Sequence, residues 1–556
     1  MVVATTRPST EELQSSAKRI KSAEGESQIG KFHAGLFDQA SRDALRTTIA
    51  SSKPYQHCKI DKLVDDDLLR RVRKEIFDNI SFTAKETDIY KVNQSGDLAN
   101  IDGLPEDEKQ RLSSLFELRN AIYSNEFREF ISDITGCGPL SPSKMDMSVN
   151  TYTEGCHLLN HDDVIGTRRV SFILYMPDPD EPWYPSYGGA LELYPVVERD
   201  TPAIEPSVSV PPKWNQFAMF TVLPGYSFHA VEEVVVEGKP RLSIQGWFHF
   251  PQPGDPGYDE KLGNTDGKSS LKQLEEQMDT SDNFNSYVLP MSEEEDVSLT
   301  EQDREALAAW MNPTYLNATS LQQISDRFLD ESAIQLKDFL LDDLYEKMKK
   351  VTLQADQEDG LTKPALPSHG AGLHGKWVAR GSPVCQRFLA VDIDCERVHD
   401  ASSQLFTDLK RHFESEPFRR WLAVVSQLIP GGYRGAARRF RPGLDYTLAK
   451  ANTLGKAVLD VTFCHATISN ADSLGLWDSG ECGGYECYMA PHEGDDDAAT
   501  YKAADEEGAL LTMPAGNNEL ALVLRDEGVM RFIKYVSGRA PGSRWDVAFE
   551  YDLQNL

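Results

Sequence analysis

Two histidines, one aspartate and one arginine form the pattern in this sequence with the clearest chemistry. His161 and Asp163 stand two residues apart in Leu-Leu-Asn-His-Asp-Asp, His229 follows in Ser-Phe-His-Ala-Val, and Arg241 comes twelve residues later. Two imidazoles and one carboxylate on one face of a metal form the ligand set of iron(II) sites that keep coordination positions open. An arginine on the next strand can hold a carboxylate in a bidentate pair. The sequence therefore predicts an iron(II) site beside an anion-binding guanidinium.

The neighbouring sequence favours a metal site over a chance pairing of histidine with an acidic residue. His412-x-Glu414 shows that such pairs also occur elsewhere, here in a predicted helix without partners. His161, by contrast, precedes an alternating run over residues 169–176 that predicts a β-strand. The second histidine and the arginine lie in two short strand-like runs joined by a turn. Ligands on opposite strands of one small barrel indicate a double-stranded β-helix.

Neighbouring polar residues offer alternative ligands. Because alternate residues of a strand share a face, Asp163 is predicted to join His161 while Asp162 points away. His157 and His249 also lie close in sequence, and we interpret both as structural or surface histidines.

The chain is predicted to contain the same fold twice, because a series of short matches returns in the same order. The matching positions are Asp66–Leu68 with Asp342–Leu344, Ser124 with Ser415, Tyr152–Gly155 with Phe440–Gly443, Gly188–Gly189 with Gly483–Gly484, and Gly225 and Arg241 with Gly528 and Arg544.

The second copy is predicted to bind no metal. In these registers the three proposed ligands, in chain order, fall on Ala449, Ala451 and Phe532, and none of these side chains can bind iron. Arg544, at the position of Arg241, is then interpreted as a surface or structural arginine. The scaffold is repeated, whereas the site is not.

Composition limits the class of partner. A net charge of −31 over 556 residues argues against a direct grip on a nucleic-acid backbone and suits a basic protein partner, although solubility alone is the alternative. Eight cysteines without a C-x-x-C pair predict a reduced, intracellular protein. The sequence shows neither an apolar leader nor an apolar run of 18 residues, so no membrane association is expected. The basic patch at residues 18–21 is a short candidate nuclear import signal, and we expect a nuclear and cytoplasmic location.

The segment from Tyr152 to Phe250 resembles the catalytic core of prolyl hydroxylases that depend on 2-oxoglutarate and Fe(II). More narrowly, it is similar to the eukaryotic (fungal) subfamily that hydroxylates a proline of a small-subunit ribosomal protein near the decoding centre. The likeness runs from about residue 30 through the long C-terminal half. The runs that carry it are His161–Asp163, Arg169–Tyr175, Gly188–Tyr194, Ser227–His229 and Arg241–His249.

This resemblance implies Fe(II), 2-oxoglutarate and O₂ as cofactor and co-substrates, with ascorbate as reductant. The C1 carboxylate and C2 ketone of 2-oxoglutarate would bind the iron. Its C5 carboxylate would meet Arg241 and the hydroxyl of Tyr175, and Ser243, on the same face as the arginine, would add a hydrogen bond. Tyr152 and Trp247 are expected to line the substrate pocket, with core packing as the alternative for each.

The resemblance also implies the domain organisation, an α+β fold with two tandem double-stranded β-helix (jelly-roll or cupin-like) domains. Helices are expected to buttress each domain, and the second domain is expected to be degenerate. The predicted segments are a disordered tail at 1–30, the catalytic domain at 31–252, a linker rich in proline, glycine and acidic residues at 253–305, and a non-catalytic domain for partner or substrate binding at 306–556.

The expected activity is hydroxylation of a prolyl residue in the ribosomal protein, coupled to decarboxylation of 2-oxoglutarate to succinate and CO₂. Such a modification is expected to affect the accuracy and termination of translation. Two alternatives stay open. The same chemistry could serve another substrate, or the protein could act as an oxygen-responsive scaffold whose C-terminal domain binds a transcription or translation factor.

Overall fold

The structure is a computed structural model that describes residues 27–260, 283–288, 291, 297–470, 472–490 and 509–554. The predicted tail and linker therefore lie partly outside the described residues. Within the described parts, a 3₁₀ turn spans Ile29–Lys31, and a helix begins at Glu301, inside the stretch predicted as linker.

The first half combines helices and short antiparallel strands. Its helices are α1 (Gln39–Ser51), α2 (Asp66–Asn79), α3 (Glu106–Arg111), α4 (Ser113–Ile122) and α5 (Asn125–Thr135). Its strands are β1 (His57–Ile60), β2 (Thr83–Glu86), β3 (Tyr90–Gln94), β4 (Asp146–Tyr152), β5 (His157–His161), β6 (Arg168–Tyr175), β7 (Leu191–Leu193), β8 (Val196–Glu198), β9 (Thr201–Pro202), β10 (Val208–Val210), β11 (Phe217–Thr221), β12 (His229–Val231) and β13 (Arg241–His249).

The second half is also built from helices and antiparallel strands. Its helices are α6 (Glu301–Ala308), α7 (Ala318–Glu331), α8 (Asp342–Glu358), α9 (Ala401–Phe413), α10 (Glu416–Ser426) and α11 (Ser473–Asp478). Its strands are β15 (Ala333–Leu336), β16 (Trp377–Arg380), β17 (Gln386–Val391), β18 (Pro430–Phe440), β19 (Tyr446–Ala451), β20 (Val458–Ala466), β21 (Glu486–Met489), β22 (Ala509–Met513), β23 (Asn517–Arg525), β24 (Met530–Ile533) and β25 (Arg544–Leu553), after a short β14 (Asn285–Ser286).

Strand order shows that one topology occurs twice. The first sheet runs β1-β11-β6-β13-β4-β3-β5-β12-β7-β10, and the second runs β15-β23-β20-β25-β18-β17-β19-β24-β21-β22. Each strand of the first path has one counterpart at the same place in the second. Both are curled antiparallel sheets of the double-stranded β-helix type, so the predicted fold class is confirmed.

Helices cover one face of each sheet, and their local sequence explains where they begin. Ser124 accepts a hydrogen bond from the backbone N–H of Phe127 at the start of α5, and Ser415 does the same for Phe418 at the start of α10. Serine is a favoured N-cap because it satisfies an N–H group left free at the helix end. The apolar faces of these helices are buried in the cores of their halves. Among the described residues no helix combines the length and apolarity needed to cross a bilayer.

A buried carboxylate joins the two halves. Glu233, 1% exposed, follows β12 and accepts hydrogen bonds from the hydroxyls of Ser537 and Tyr535 and, at 2.6 Å, from the backbone N–H of Gly538. Burial raises the pKa of Glu233, and these three donors oppose that rise. A carboxyl group in this position is stabilised only while the second half supplies its donors.

We predict that Glu233→Ala lowers the free energy of unfolding by about 2–3 kcal/mol, because it leaves buried donors of the second half without an acceptor. Denaturant unfolding followed by tryptophan fluorescence measures this change. Glu237→Ala, at an exposed position of the next turn, is the control. Equal stability of the two variants would show that the buried carboxylate does not join the halves.

Candidate metal centre

Strand pairing brings the two histidines together. β5 ends at His161 and β12 begins at His229, and these two residues are direct partners across the antiparallel pair. Their ring centroids lie 4.1 Å apart. Residues separated by 68 positions in the sequence therefore present their imidazoles to one point of the barrel interior.

The carboxylate reaches the same point from a turn. The strand that the sequence predicts to extend through Asp163 ends at His161, so the alternation argument does not apply there. Asp163 instead adopts a left-handed conformation with φ of 60°, which aspartate tolerates better than most residues. Asp162 is buried, and its carboxylate accepts a hydrogen bond from the N–H of Val164.

The three side chains form a compact group of potential ligands. One ligand atom from each of His161, Asp163 and His229 lies within 4.8 Å of the others. Each histidine Nε2 is 3.5 Å from an oxygen of Asp163. This is the only such group of histidine, cysteine and acidic side chains in the described part of the chain. Two imidazoles and one carboxylate on one side fit divalent iron.

Burial and charge set the protonation states of the group. Burial alone would raise the pKa of Asp163, but the adjacent His229 and His161 outweigh it and hold the pKa below its usual value. Burial lowers the pKa of His229 to about 4, so that imidazole is neutral. For His161, burial acts to lower the pKa, and the hydrogen bond to Asp163 gives a net rise. A bound divalent cation would replace the proton held by this pair.

Neighbouring groups orient the ligands. The Nδ1 of His161 lies 2.9 Å from the carbonyl oxygen of Leu159, and the Nδ1 of His229 lies 2.9 Å from that of Ser227. Such bonds place the proton on Nδ1 and leave the Nε2 lone pair for a metal.

The carboxylate has its own supports. Ser171 Oγ and Trp247 Nε1 each donate a hydrogen bond of 2.9 Å to the same oxygen of Asp163. The guanidinium of Arg168 lies 3.5 Å above the ring of Trp247 and 3.6 Å from the other oxygen of Asp163. The structure thus gives Trp247 a contact with the ligand set in addition to its place on the cavity wall.

The arginine is held deep in the barrel with an unused donor. Arg241 is 1% exposed; its Nε donates 2.6 Å to the carbonyl of Gly189, and its Nη1 donates 3.4 Å to Ser243 Oγ. The rings of Tyr152 and Tyr175 lie 4.6 and 4.9 Å from the guanidinium carbon. Nη2 of the arginine and the hydroxyl of Tyr175 have no hydrogen-bond partner among the described residues. Two adjacent buried donors without an acceptor fit the distal carboxylate of 2-oxoglutarate.

Gly189 has no space for a side chain. Its backbone has a φ of +75°, and an added Cβ would lie 2.7 Å from Cδ of Arg241. The second glycine of the predicted Gly-Gly pair is therefore required where the backbone passes the arginine.

A cavity of about 430 Å³ opens beside these groups. Tyr152, Trp247 and the three proposed ligands line it, together with apolar residues such as Ile173 and Phe220. Arg241, Tyr175 and Ser243 lie together but do not line the cavity, and the arginine adjoins it through the ring of Tyr152. His157 and His249 are both buried outside the ligand group and contact Gly155 and Thr167 respectively.

Sequence analysis missed several polar residues of the site. Ser171 is a polar residue within the apolar run of β6. A polar side chain in a buried strand needs a partner, and this could have indicated its contact with the site. Arg168 begins the same strand. Asn150 and Asn160 line the cavity, are 1% and 3% exposed, and have side-chain amides without partners in the described residues. No spacing in the sequence distinguished these asparagines.

The second barrel has cationic side chains where the first has imidazoles. Lys450 in β19 faces Arg531 in β24 at the point where His161 faces His229. Protonated lysine and arginine have no lone pair for a metal. These two positions therefore lack ligands for iron, and the described residues of the second half contain no group of metal ligands.

The predicted equivalents Ala449, Ala451 and Phe532 were wrong by one residue. Ala449 and Phe532 pack with Ala451 in a separate apolar cluster, on the opposite face of the strands. The cause is the length of the preceding turn. Leu158 and Thr447 occupy equivalent pairing positions, but Leu158 is three residues after Gly155, whereas Thr447 is four residues after Gly443. A shift of one residue moves every side chain of a strand to the other face.

Ion pairs fill the interior of the second barrel. Arg531 lies 2.5 Å from Glu486 and 3.4 Å from Asp460. Arg544, 1% exposed, lies 3.3 Å from both Glu486 and Asp546. Of the two alternatives that the sequence left open for Arg544, surface or structural, the structure supports the second, because the side chain is buried and paired.

Comparison with protein families matches both halves. Residues 147–249 match the model described as "2OG-Fe(II) oxygenase superfamily". Residues 302–556 match the model described as "Oxoglutarate and iron-dependent oxygenase degradation C-term".

Two relatives match almost the whole chain. "Prolyl 3,4-dihydroxylase OGFOD1" of Ostreococcus tauri is 35% identical over 535 residues, which cover 94% of this chain and 99% of that protein. "Prolyl 3-hydroxylase OGFOD1" of Xenopus laevis is 28% identical over 563 residues, which cover 94% and 95% of the two chains. A solved Pseudomonas putida prolyl-4-hydroxylase covers 37% of this chain and 98% of its own, with 21% identity and a TM-score of 0.26.

We predict that His161→Ala weakens Fe(II) binding by at least about a hundredfold, because two ligands cannot replace three. Anaerobic calorimetric titration with Fe(II), or with Mn(II) as a probe, measures the affinity and stoichiometry. His33→Ala, at an exposed position, is expected to bind like the wild type. Full affinity in the His161 variant would exclude this residue as a ligand.

Proposed function

We propose that this chain, which belongs to the OGFOD1 family of 2-oxoglutarate- and iron(II)-dependent prolyl hydroxylases, acts on a prolyl residue of a small-subunit ribosomal protein near the decoding centre. The observation that carries the proposal is the convergence of His161, Asp163 and His229 beside the unused donor of Arg241.

The residues of the site form two groups: the three proposed ligands, which line the cavity, and the buried group of Arg241, Tyr175 and Ser243. Bound iron with 2-oxoglutarate and O₂ supplies the oxidation of an unactivated C–H bond, coupled to decarboxylation to succinate and CO₂. Arg241 and Tyr175 orient the distal carboxylate of 2-oxoglutarate, with Ser243 bonded to the arginine. Ascorbate serves as the reductant that keeps the iron ferrous.

The barrel interior favours this chemistry by limiting water. Ile173 and Phe220 form an apolar wall beside the ligands, and burial raises the pKa of Tyr175, which keeps its hydroxyl protonated as a donor. Fixed donors in a site with little water interact more strongly with a carboxylate than the same donors in solvent.

The choice of a ribosomal substrate rests on charge and on the family. The curated relatives are named as prolyl 3-hydroxylase or prolyl 3,4-dihydroxylase. The net charge of −31 favours a basic protein over the phosphate backbone of RNA. We propose that the modification affects the accuracy and termination of translation, and that the protein acts in the nucleus and the cytoplasm.

A second candidate function concerns the C-terminal half. This half matches the model described as "Oxoglutarate and iron-dependent oxygenase degradation C-term", and its described residues contain no group of metal ligands, so we propose a binding role with a transcription or translation regulatory factor as the partner. The protein would then be an oxygen-responsive scaffold, and the iron site would sense O₂. Such a scaffold binds its factor without hydroxylating a ribosomal protein.

We predict that the purified protein, given Fe(II), ascorbate and 2-oxoglutarate, adds one oxygen atom to a proline-containing peptide from a small-subunit ribosomal protein. Mass spectrometry of the peptide and a succinate assay provide the readouts. Peptides in which alanine replaces each proline identify the modified residue. Succinate without modified peptide would indicate another substrate, and the absence of both products would favour the scaffold.

We further predict that Arg241→Lys raises the KM for 2-oxoglutarate by about tenfold or more, because lysine keeps the charge but loses the planar pair of donors. Initial rates of succinate formation over a range of 2-oxoglutarate concentrations measure this change. Arg199→Lys, at an exposed position, is the matched control. An unchanged KM would place the carboxylate of 2-oxoglutarate elsewhere.

A further inference from the structure

The cavity beside the proposed ligands is enclosed by both halves of the chain. Most of its lining belongs to the first barrel, but Val384, Leu448 and Ala449 of the second half form part of the wall. Ile89 and Leu158 of the first half line the same cavity. The degenerate barrel therefore contributes directly to the space that a substrate must enter.

Hydrogen bonds fix this wall against the first barrel. The backbone N–H of Ala449 donates 3.0 Å to the carboxylate of Asp88, and Lys534 lies 3.0 Å from Glu86 and donates to the carbonyl of Thr87. These contacts anchor the segment at 86–90, which leads into β3 and lines the cavity next to this wall. The position of that segment therefore depends on the second half.

Apolar packing supports the same arrangement. Leu448 packs with Tyr446 and Tyr535 of its own half and with Leu159 of β5. Leu159 is two residues before His161, on the strand that carries the first ligand. The wall and the proposed iron site are thus parts of one packed unit, with little freedom to separate.

A buried asparagine side chain lines the cavity beside the proposed ligands. Asn160 is 3% exposed and lines both the main cavity and a smaller cavity of about 50 Å³ between the halves. Its side-chain oxygen and nitrogen have no partner in the described part of the chain. A primary amide offers a donor and an acceptor together, the complement of a peptide group.

We propose that the C-terminal half determines which protein substrate the enzyme accepts. The substrate is an extended peptide segment that enters the cleft between the halves, with an apolar side chain next to the target proline packed on Leu448, Ala449 and Val384. Its backbone amide pairs with the side chain of Asn160. This inference rests on the proposed function, since it takes the substrate to be a protein.

Two alanines on β19 provide a matched test. Ala449 lines the cavity, whereas Ala451, two residues along and in the same apolar cluster, does not. Ala449→Leu is expected to raise the KM for the peptide by about tenfold, because extra methyl groups occupy the space of the substrate side chain. Ala451→Leu is expected to leave the peptide KM within about twofold of the wild type.

A second variant covers the case in which the first does not fold. Leu448→Ala widens the wall, so a peptide with a larger apolar residue beside the proline is expected to gain in kcat/KM relative to the natural peptide. Asn160→Ala is expected to raise the peptide KM by about fivefold or more through the loss of its backbone contact. Thermal melting checks the fold of each variant.

The outcomes separate this inference from the proposed function. If the wild type does not hydroxylate the peptide, the proposed function fails before any variant is compared. If the wild type is active and the two alanine variants have the same peptide KM, the second half does not select the substrate. A rise in the 2-oxoglutarate KM equal to the rise in the peptide KM would also overturn the inference, because it would indicate a distorted barrel.

Discussion

A carboxylate buried in a narrow barrel needs compensating partners, and the arrangement of the first half depends on this constraint. Asp163 is 7% exposed, where an ionised carboxyl group without partners would be costly. Its pKa is nevertheless low, because two imidazoles and an arginine lie near it and because Ser171 and Trp247 donate hydrogen bonds to it. These partners come from different strands, so the charge is stable only in the assembled barrel. The same arrangement leaves the histidine Nε2 atoms directed toward one point, where a divalent cation can replace the shared proton.

The second barrel satisfies the same constraint with other residues. At the place of Ser171, β20 carries Asp460, and at the place of Trp247, β25 carries Glu550, as the matched strand pairs show. Two acids in one interior repel each other and need cations, and Arg525 contacts both of them. A network of ion pairs therefore lies in the second barrel at strand positions that support the ligand set in the first. A buried network of this kind is costly to break by removing one member, although it adds little stability over an apolar core.

Much of the fold and of the site could be predicted from the sequence, and the failures have physical causes. Strand alternation, the two Gly-Gly turns and the repeated serine caps are local signals, and they gave the duplicated architecture. The register of the second copy was wrong by one residue because the second half has one extra residue before β19 and one fewer before β24, and each change shifts the face of its strand. The turn at Asp163 was missed because a left-handed aspartate has no periodic signal. Asn160 was missed because its environment is formed by a strand almost 290 residues away.

The contacts between the halves show how a barrel without metal ligands supports the metal-binding half. Glu233 follows β12, which carries the second histidine, and its buried carboxylate is satisfied only by residues of the second half. The hydrogen bonds from Ala449 to Asp88 and from Lys534 to Thr87 hold the segment at 86–90 against the same surface. Substitutions at this junction should therefore affect substrate entry and stability together, whereas substitutions inside the second barrel should affect stability alone. The junction thus joins the wall of the cavity to the folding of the second half, although the proposed ligands belong to the first half only.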